Sequence, residues 1–253
     1  MDAGSELCNG EGPKGSGMKI LQLILQLLFP RRCPVCDEIV YPYGEKICAG
    51  CRKKLKYLTP PWCLRCGKKL NDEEKEFCQD CRQKSHNFLR GRALYEYGSV
   101  SSSIYRLKYS KRQEYADFYG EEIACFLGDF IREVRPDALI PIPLHRKRLV
   151  KRGYNQAELL AEAVGRKLGV PVYGKLVKRV KNTAPLKRQN PQERQNNLKK
   201  AFIIMQNDVK LDTIILIDDI YTTGSTVDEV ADVLKRHGVK KVYVITLACG
   251  AGV

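Results

Sequence analysis

The segment Ile214 to Thr226 reads IILIDDIYTTGST, and its residue types describe an anion site beside a sugar site. An apolar run ends in two carboxylates, Asp218 and Asp219, and a Thr/Gly/Ser turn precedes a helical pattern. At the C-terminal end of a strand such a turn presents backbone N–H groups, and the next helix adds the positive end of its dipole. Gly224 permits a backbone angle that a side chain resists, and it admits close approach of a phosphate. Thr222, Thr223, Ser225 and Thr226 supply hydroxyl donors. Carboxylates repel phosphate, so Asp218 and Asp219 suit the neutral vicinal hydroxyls of a ribose, or Mg2+ through water. Together these groups describe a ribose 5-phosphate site. The alternative is an acidic strand end before an N-capped helix that binds nothing. The segment is neither a P-loop, GxxxxGKS or GxxxxGKT, nor a GxGxxG dinucleotide loop.

A second chemistry lies in the cysteines. Eight of the 11 form CxxC pairs: Cys33/Cys36, Cys48/Cys51, Cys63/Cys66 and Cys78/Cys81. Shifting the first two pairs by 30 residues places each cysteine on a cysteine, so a four-cysteine unit is duplicated. Two hooks per unit supply the tetrahedral soft-donor set that Zn2+ prefers, giving one or two zinc ribbons. A unit of ~20 residues buries too little apolar surface to fold without its metal. Disulfides need an oxidising compartment, and a redox CxxC usually stands alone, so four pairs in register favour zinc. Spacing leaves the pairing open between consecutive hooks and a cross-braced arrangement. Cys8, Cys125 and Cys249 stand outside the pattern. His86 reads as a surface histidine, because four sulfurs already complete the nearest site. Tyr41, Tyr43, Tyr57, Trp62 and Phe77 read as the ribbons' small cores or as stacking surfaces for unpaired bases.

The elements that must position these groups follow from hydrophobic period and punctuation. Residues 1–17 are Gly- and Ser-rich without periodicity and read as a disordered tail, with Met18 as the natural start. Ile20 to Phe29 reads as a one-sided helix ended by Pro30; with the ribbons it makes a first unit over 18–87. From residue 88 to 253 strands alternate with helices. Strand patterns cover Arg92–Tyr97, Ala138–Ile142, Leu176–Val180, Thr213–Asp218 and Lys240–Leu247. Helix patterns cover Ser99–Lys108, Gln113–Val134, Asn155–Leu168 and Ser225–His237. Alternation of this kind predicts an α/β domain with a parallel sheet flanked by helices.

Composition narrows the classes. The 253 residues carry 44 Lys and Arg against 29 Asp and Glu, a net +15. Between Pro141 and Lys200 there are 16 Lys or Arg and three acids, a field that attracts nucleic acid, an anionic membrane surface or multiply phosphorylated ligands. The longest apolar stretch, Ile20 to Phe29, is too short for the ~20 residues of a membrane span.

The two-Asp, Thr/Gly-rich turn resembles the 5-phosphoribosyl 1-pyrophosphate (PRPP) motif of type I phosphoribosyltransferases. The order of motifs is more specific: cysteine hooks, then PIPLHRKRLVKRGYNQAELLA (Pro141–Ala161), then QERQNNLKKAF (Gln192–Phe202), then the PRPP motif. That order resembles the ComF/ComFC family, associated with natural competence and DNA uptake, over roughly Met18 to Leu247. The resemblance implies a type I phosphoribosyltransferase-like fold preceded by zinc-ribbon modules, binding PRPP with Mg2+. It makes Asp218 and Asp219 the catalytic ribose-holding pair. It assigns Pro141–Arg148 to the pyrophosphate loop, with Arg146, Lys147 or Arg148 facing the diphosphate and His145 as a contact or a structural residue. Asn155 and Gln156 then orient that loop or start a helix. It assigns Arg179–Gln195 to a mobile loop in which Lys187, Arg188 and Arg194 cover the ligand. It implies a cytoplasmic protein, peripheral to the inner membrane face through a DNA-uptake complex. Its implied partners are single-stranded DNA and a competence helicase or recombination protein. A phosphoribosyltransferase with a base or amine acceptor, and a partner-binding adaptor, are the rival readings.

Overall fold

The computed structural model describes residues 28–42, 44–181, 201–205 and 209–250. The tail, Met18, Cys8, most of the Ile20–Phe29 helix, Tyr43 and the covering residues Lys187, Arg188 and Arg194 lie outside the described residues.

The two cysteine units repeat in three dimensions. In the first, Cys33 N–H donates to the Glu38 carbonyl and Asp37 N–H to the Cys33 carbonyl. In the second, Cys63 N–H donates to Lys68 and Gly67 N–H to Cys63, each 30 residues later. Each closes on a short helix carrying its second hook, α1 (Ala49–Arg52) and α2 (Gln79–Gln83). The left-handed position of the knuckle is Asp37 in one unit and Gly67 in the other. Gly67 is there for a second reason. A Cβ on it would meet the Gly91 carbonyl oxygen at 2.8 Å and the Arg92 Cα at 2.9 Å.

Beyond the ribbons come β1 (Gly91–Glu96), α3 (Tyr97–Tyr109), α4 (Tyr115–Phe126), α5 (Gly128–Val134), β2 (Ala138–Pro141), α6 (Arg146–Arg152) and α7 (Gln156–Leu168). Then follow β3 (Val177–Arg179), β4 (Phe202–Ile204), β5 (Thr213–Tyr221), α8 (Ser225–Arg236) and β6 (Lys241–Cys249). The main sheet is parallel in the order β1-β6-β5-β2, and β3 and β4 pair antiparallel apart from it. The segment read as one helix, Gln113–Val134, is two: Leu127 leaves helical geometry where Gly128 follows, and glycine is a weak helix former. Helix α6 lacks an apolar stripe, so hydrophobic period did not find it; His145 starts it by accepting the Lys147 N–H, and Gly153 ends it left-handed.

Strand parity divides the core. Ala138, Ile140, Ile214, Leu216, Val242 and Val244 face α8, with Val227, Val230, Ala231 and Leu234. Leu139, Ile215, Ile217, Ile245 and Leu247 face the other way, against α3, α4, α5 and α7. Each such side chain contributes ~1.5–3 kcal/mol on burial. The duplicated ribbon straddles this division. Cys33, Val40, Ile47 and Cys51 join the core on the α4 face, whereas Cys63, Cys66, Leu70 and Cys78 join it on the α8 face.

The chain between the ribbons and the first knuckle of the second ribbon also cover the sheet edge. Leu58 N–H donates to Leu94, Gly91 N–H to Arg65 and Glu96 N–H to Lys56, so the β1 edge does not face water with open hydrogen-bond groups. Buried Glu122 on α4 accepts from the hydroxyls of Tyr57 (2.5 Å) and Tyr95 (2.8 Å) and from Arg52 (3.0 Å). Burial, and then that carboxylate, push the Tyr57 phenol up to about 12. The ribbon aromatics therefore do not make private cores. Tyr57 stacks on Tyr95 and Phe126, Trp62 lies under the Arg92 guanidinium, Phe77 packs on the α8-side core, and Tyr41 is exposed.

Candidate functional site

Strand β5 runs to Tyr221, three residues beyond the predicted end, so Asp218 and Asp219 sit inside the strand near its C-terminal end. The chain turns at Thr222–Gly224, and α8 starts at Ser225 with Gly224 as N-cap, at φ +73°. A Cβ on Gly224 would lie 2.3 Å from Tyr221 Oη and 3.1 Å from His86 Cε1. The crowding is thus behind the turn, against protein. Thr223 and Ser225 hydroxyls lie 3.0 Å apart across the turn, and Asp228 N–H donates to the Gly224 carbonyl as the first helical bond.

This turn forms one wall of a cavity of about 350 Å³ at the C-terminal ends of β2 and β5. Asp218, Asp219, Thr222, Thr223, Gly224, Ser225 and Thr226 line it, and Ile142, Pro143, Leu144 and Arg148 form the opposite wall. Of the three basic residues proposed for that side, Arg148 alone reaches the lining; Arg146 and Lys147 are exposed on the outer face of α6. His145 is a helix cap. The Asn155 amide donates to the Ile142 carbonyl (3.1 Å) and its side-chain carbonyl accepts the Ala157 N–H (3.2 Å), so it caps α7 and ties that cap to the chain after β2.

Three residues of the cavity escaped the sequence reading: Lys108 and Tyr109 enter from the end of α3 and Arg152 from α6. Arg179, read as the first residue of the mobile loop, ends strand β3 and lines the cavity from there. Lys108 and Tyr109 carry no motif and sit about 110 residues from the carboxylates in sequence, so only tertiary packing brings them in. Lys108 forms an ion pair with Asp219, which is 4% exposed.

The electrostatics are uneven. Burial, then the Asp219 charge, raise the pKa of Asp218 well above the carboxylate range, with Lys108 working against them. Burial opposes the Lys108 ammonium, yet Asp219 and then Asp218 raise its pKa above the usual lysine value. Burial and the nearby Arg148 charge bring Arg179 down to about 10, still cationic at neutral pH, with Phe202 beneath its guanidinium at 5.3 Å.

His86 is not a surface residue. Its side chain is 1% exposed and its Nδ1 lies 2.8 Å from Asp228 on α8. Lys84 and the Asn87 backbone N–H also bond that carboxylate, at 2.8 and 3.0 Å. The residues after the last hook therefore run beneath the Thr222–Gly224 turn. His237, by contrast, lies at the end of α8, with Nδ1 2.8 Å from the Val233 carbonyl oxygen.

The eight hook cysteines stand outside the lining of this cavity. The thiols of Cys33, Cys36, Cys48 and Cys51 form one cluster and those of Cys63, Cys66, Cys78 and Cys81 another, the sulfurs within each cluster lying within 4.8 Å of one another. Consecutive hooks thus share a site. Four converging soft donors fit tetrahedral Zn2+.

Residues 24–82 match the double zinc ribbon domain, and residues 155–251 match the phosphoribosyl transferase domain. Competence protein F of Haemophilus influenzae is 31% identical over 230 residues, covering 87% of this chain and 97% of that protein. Competence protein ComFC of Bacillus subtilis is 33% identical over 207 residues, covering 77% and 80%. The chain belongs to the ComF/ComFC family. DNA utilization protein YhgH of Escherichia coli is 30% identical to this ComF-family chain over 222 residues, covering 86% of it and 96% of that protein. In this chain, the phosphoribosyl transferase match begins at the α7 cap and includes the β5 turn; Lys108 and Tyr109 precede it. No helix among the described residues is long and apolar enough to cross a membrane.

Proposed function

We propose that this chain binds PRPP with Mg2+ in the β5 cavity and handles single-stranded DNA during DNA uptake. One observation carries the first half. Two strand-end carboxylates, a hydroxyl-rich turn at a helix N-terminus and the cations Arg148 and Arg179 line a single cavity. Phosphate suits the turn and the arginines; ribose hydroxyls suit Asp218 and Asp219. Those carboxylates would also hold Mg2+ through water, and the bound ion would neutralise diphosphate charge. Calorimetric titration of PRPP and Mg2+ tests this. Wild type is expected to bind, and Asp218→Ala with Asp219→Ala is expected to lose at least ~100-fold in affinity, about 2.7 kcal/mol. Equal binding by both proteins would remove the reading.

The DNA half is supported by charge and by the names of the relatives, competence protein and DNA utilization protein. Arg146, Lys147 and Lys151 face solvent on α6 and are free of the cavity wall, so they are the residues assigned to DNA phosphates. Binding of a single-stranded oligonucleotide should weaken steeply with salt. Each of these residues changed to Ala should flatten the log–log slope by ~0.7 if it contacts one phosphate. A slope near zero in wild type would argue against phosphate contacts.

A second reading, Mg2+-dependent transfer of the phosphoribosyl group to a base or amine, is favoured by the aromatic wall that Tyr109 gives the cavity beside the carboxylates. Pyrophosphate release from PRPP in the presence of an acceptor measures it.

A further inference from the structure

We propose that the second ribbon backs the Thr222–Gly224 turn through the strap Lys84–Phe88, so that metal at Cys63, Cys66, Cys78 and Cys81 and a ligand at the turn strengthen each other's binding. The first ribbon stands outside this link. The proposal rests on the phosphopentose reading of the β5 cavity and adds to it a second site that governs the first. The turn is bracketed by Tyr221, the last residue of β5, and Asp228, in the first turn of α8. Both are held by the second ribbon.

Asp228 is held by the strap. Its carboxylate bonds Lys84 Nζ and His86 Nδ1, each at 2.8 Å, and accepts the Asn87 N–H at 3.0 Å; its carbonyl accepts the Asn87 side-chain amide at 3.2 Å. The His86 side chain is 1% exposed, and its Nε2 is buried with no hydrogen-bond partner. A polar atom left unpaired in the interior costs ~1–3 kcal/mol, so hydrogen bonding alone does not account for the position of the ring. Packing does: a Cβ on Gly224 would lie 3.1 Å from His86 Cε1, which puts the ring directly behind the turn.

Tyr221 is held by the ribbon itself. Its ring meets Phe88 edge-on at 6.1 Å, and Phe88 lies 4.9 Å from His86. Buried Lys68, in the knuckle after Cys66, has its Nζ 5.9 Å from the Tyr221 centroid and 2.6 Å from Asp80, which lies between the two cysteines of the second hook. Cys63, Cys66, Cys78, Phe88 and Tyr221 share one core. The first ribbon makes different contacts. Asp37 pairs with Arg112 at 2.9 Å, and Arg106 donates to the Pro34 and Val35 carbonyls at 3.2 and 2.6 Å, so that ribbon rests on α3 and the segment after it, in the core of the opposite sheet face. A ribbon without its metal loses its fold, and Lys68 and the strap then lose their anchors. A ligand at the turn would have to restore that order, which costs affinity, and the effect is reciprocal.

Equilibrium competition of the full zinc-loaded chain with a chelator tests the link, with cysteine alkylation mapped by mass spectrometry to read each site in the wild-type sequence. Saturating PRPP with Mg2+ should raise the apparent zinc affinity of the second site about tenfold, within the ~5–150-fold usual for coupled sites, and change the first less than twofold. His86→Ala removes no metal ligand and no group that lines the cavity. Both sites should still take zinc in this variant, PRPP should bind about tenfold more weakly, and its protection of the second site should disappear. Thermal melting checks that the variant folds; if it does not, the wild-type comparison decides alone. Protection of both sites alike would report general stabilisation of the fold by its ligand. That result, protection of neither site, or protection retained in folded His86→Ala overturns the link while the phosphopentose site stands. Failure of zinc-loaded wild type to bind PRPP in calorimetry removes the underlying reading, and this one with it.

Discussion

Asp218 holds its proton more tightly in the fold than in the unfolded chain, because burial and the adjacent Asp219 disfavour its charge. The raised pKa therefore means that Asp218 costs the ligand-free protein stability at neutral pH. The cost shrinks as pH falls below the raised pKa and is absent below the ordinary value of about 4. Asp218→Asn should raise the ligand-free Tm at pH 7 by about 2–4 °C, the shift of ~1 kcal/mol at this size. The gain should vanish in melts near pH 4, and the variant should lose PRPP affinity. A variant that melts lower than wild type at pH 7 would contradict the assigned burial. Gly224 is subject to the opposite constraint. Its φ of +73° and the Tyr221 and His86 contacts leave no room for a Cβ, so Gly224→Ala should cost ~1–3 kcal/mol in urea unfolding and weaken phosphate binding.

At the scale of elements, α8 joins the Thr222–Gly224 turn to the strap that follows the second ribbon. Burial alone would raise the Asp228 pKa, but His86 and Lys84 lower it below the usual carboxylate value. That stabilisation is present above the unfolded pKa of about 4 and is lost as pH falls through the lower folded value. Asp228→Asn should therefore cost ~1–3 kcal/mol at pH 7 in urea titrations, less below pH 4. Most elements were legible because their periodicity is strong: β5 is apolar on both faces, and α7 runs from the Asn155 cap to the Gly169 stop. Helix α6 and the α4/α5 break were not, since short basic helices and single-residue breaks leave no periodic trace.

Across the whole molecule, the duplicated unit is spread over two cores, one ribbon on each face of the same sheet. Loss of either metal should therefore loosen a different face. Metal analysis should find two zinc ions per chain. Chelation should give Tm losses from both Cys48→Ser-sensitive and Cys78→Ser-sensitive contributions, and it should uncover the β1 edge, read as concentration-dependent aggregation. One zinc per chain, or a chelated protein that melts unchanged, would argue against paired structural sites.

The 30-residue cysteine repeat, the parallel α/β alternation and the DDIYTTGST turn are local patterns, and local patterns survive in a linear string of residues. Hook chemistry, strand period and turn chemistry need only neighbours a few positions away. The pairing of consecutive hooks, the burial of His86 beneath the turn, and the entry of Lys108, Tyr109, Arg152 and Arg179 into the cavity depend on helices and strands distant in sequence. Tertiary packing decided those, because burial and charge pairing are set by what the fold lays alongside a residue and carry no spacing of their own.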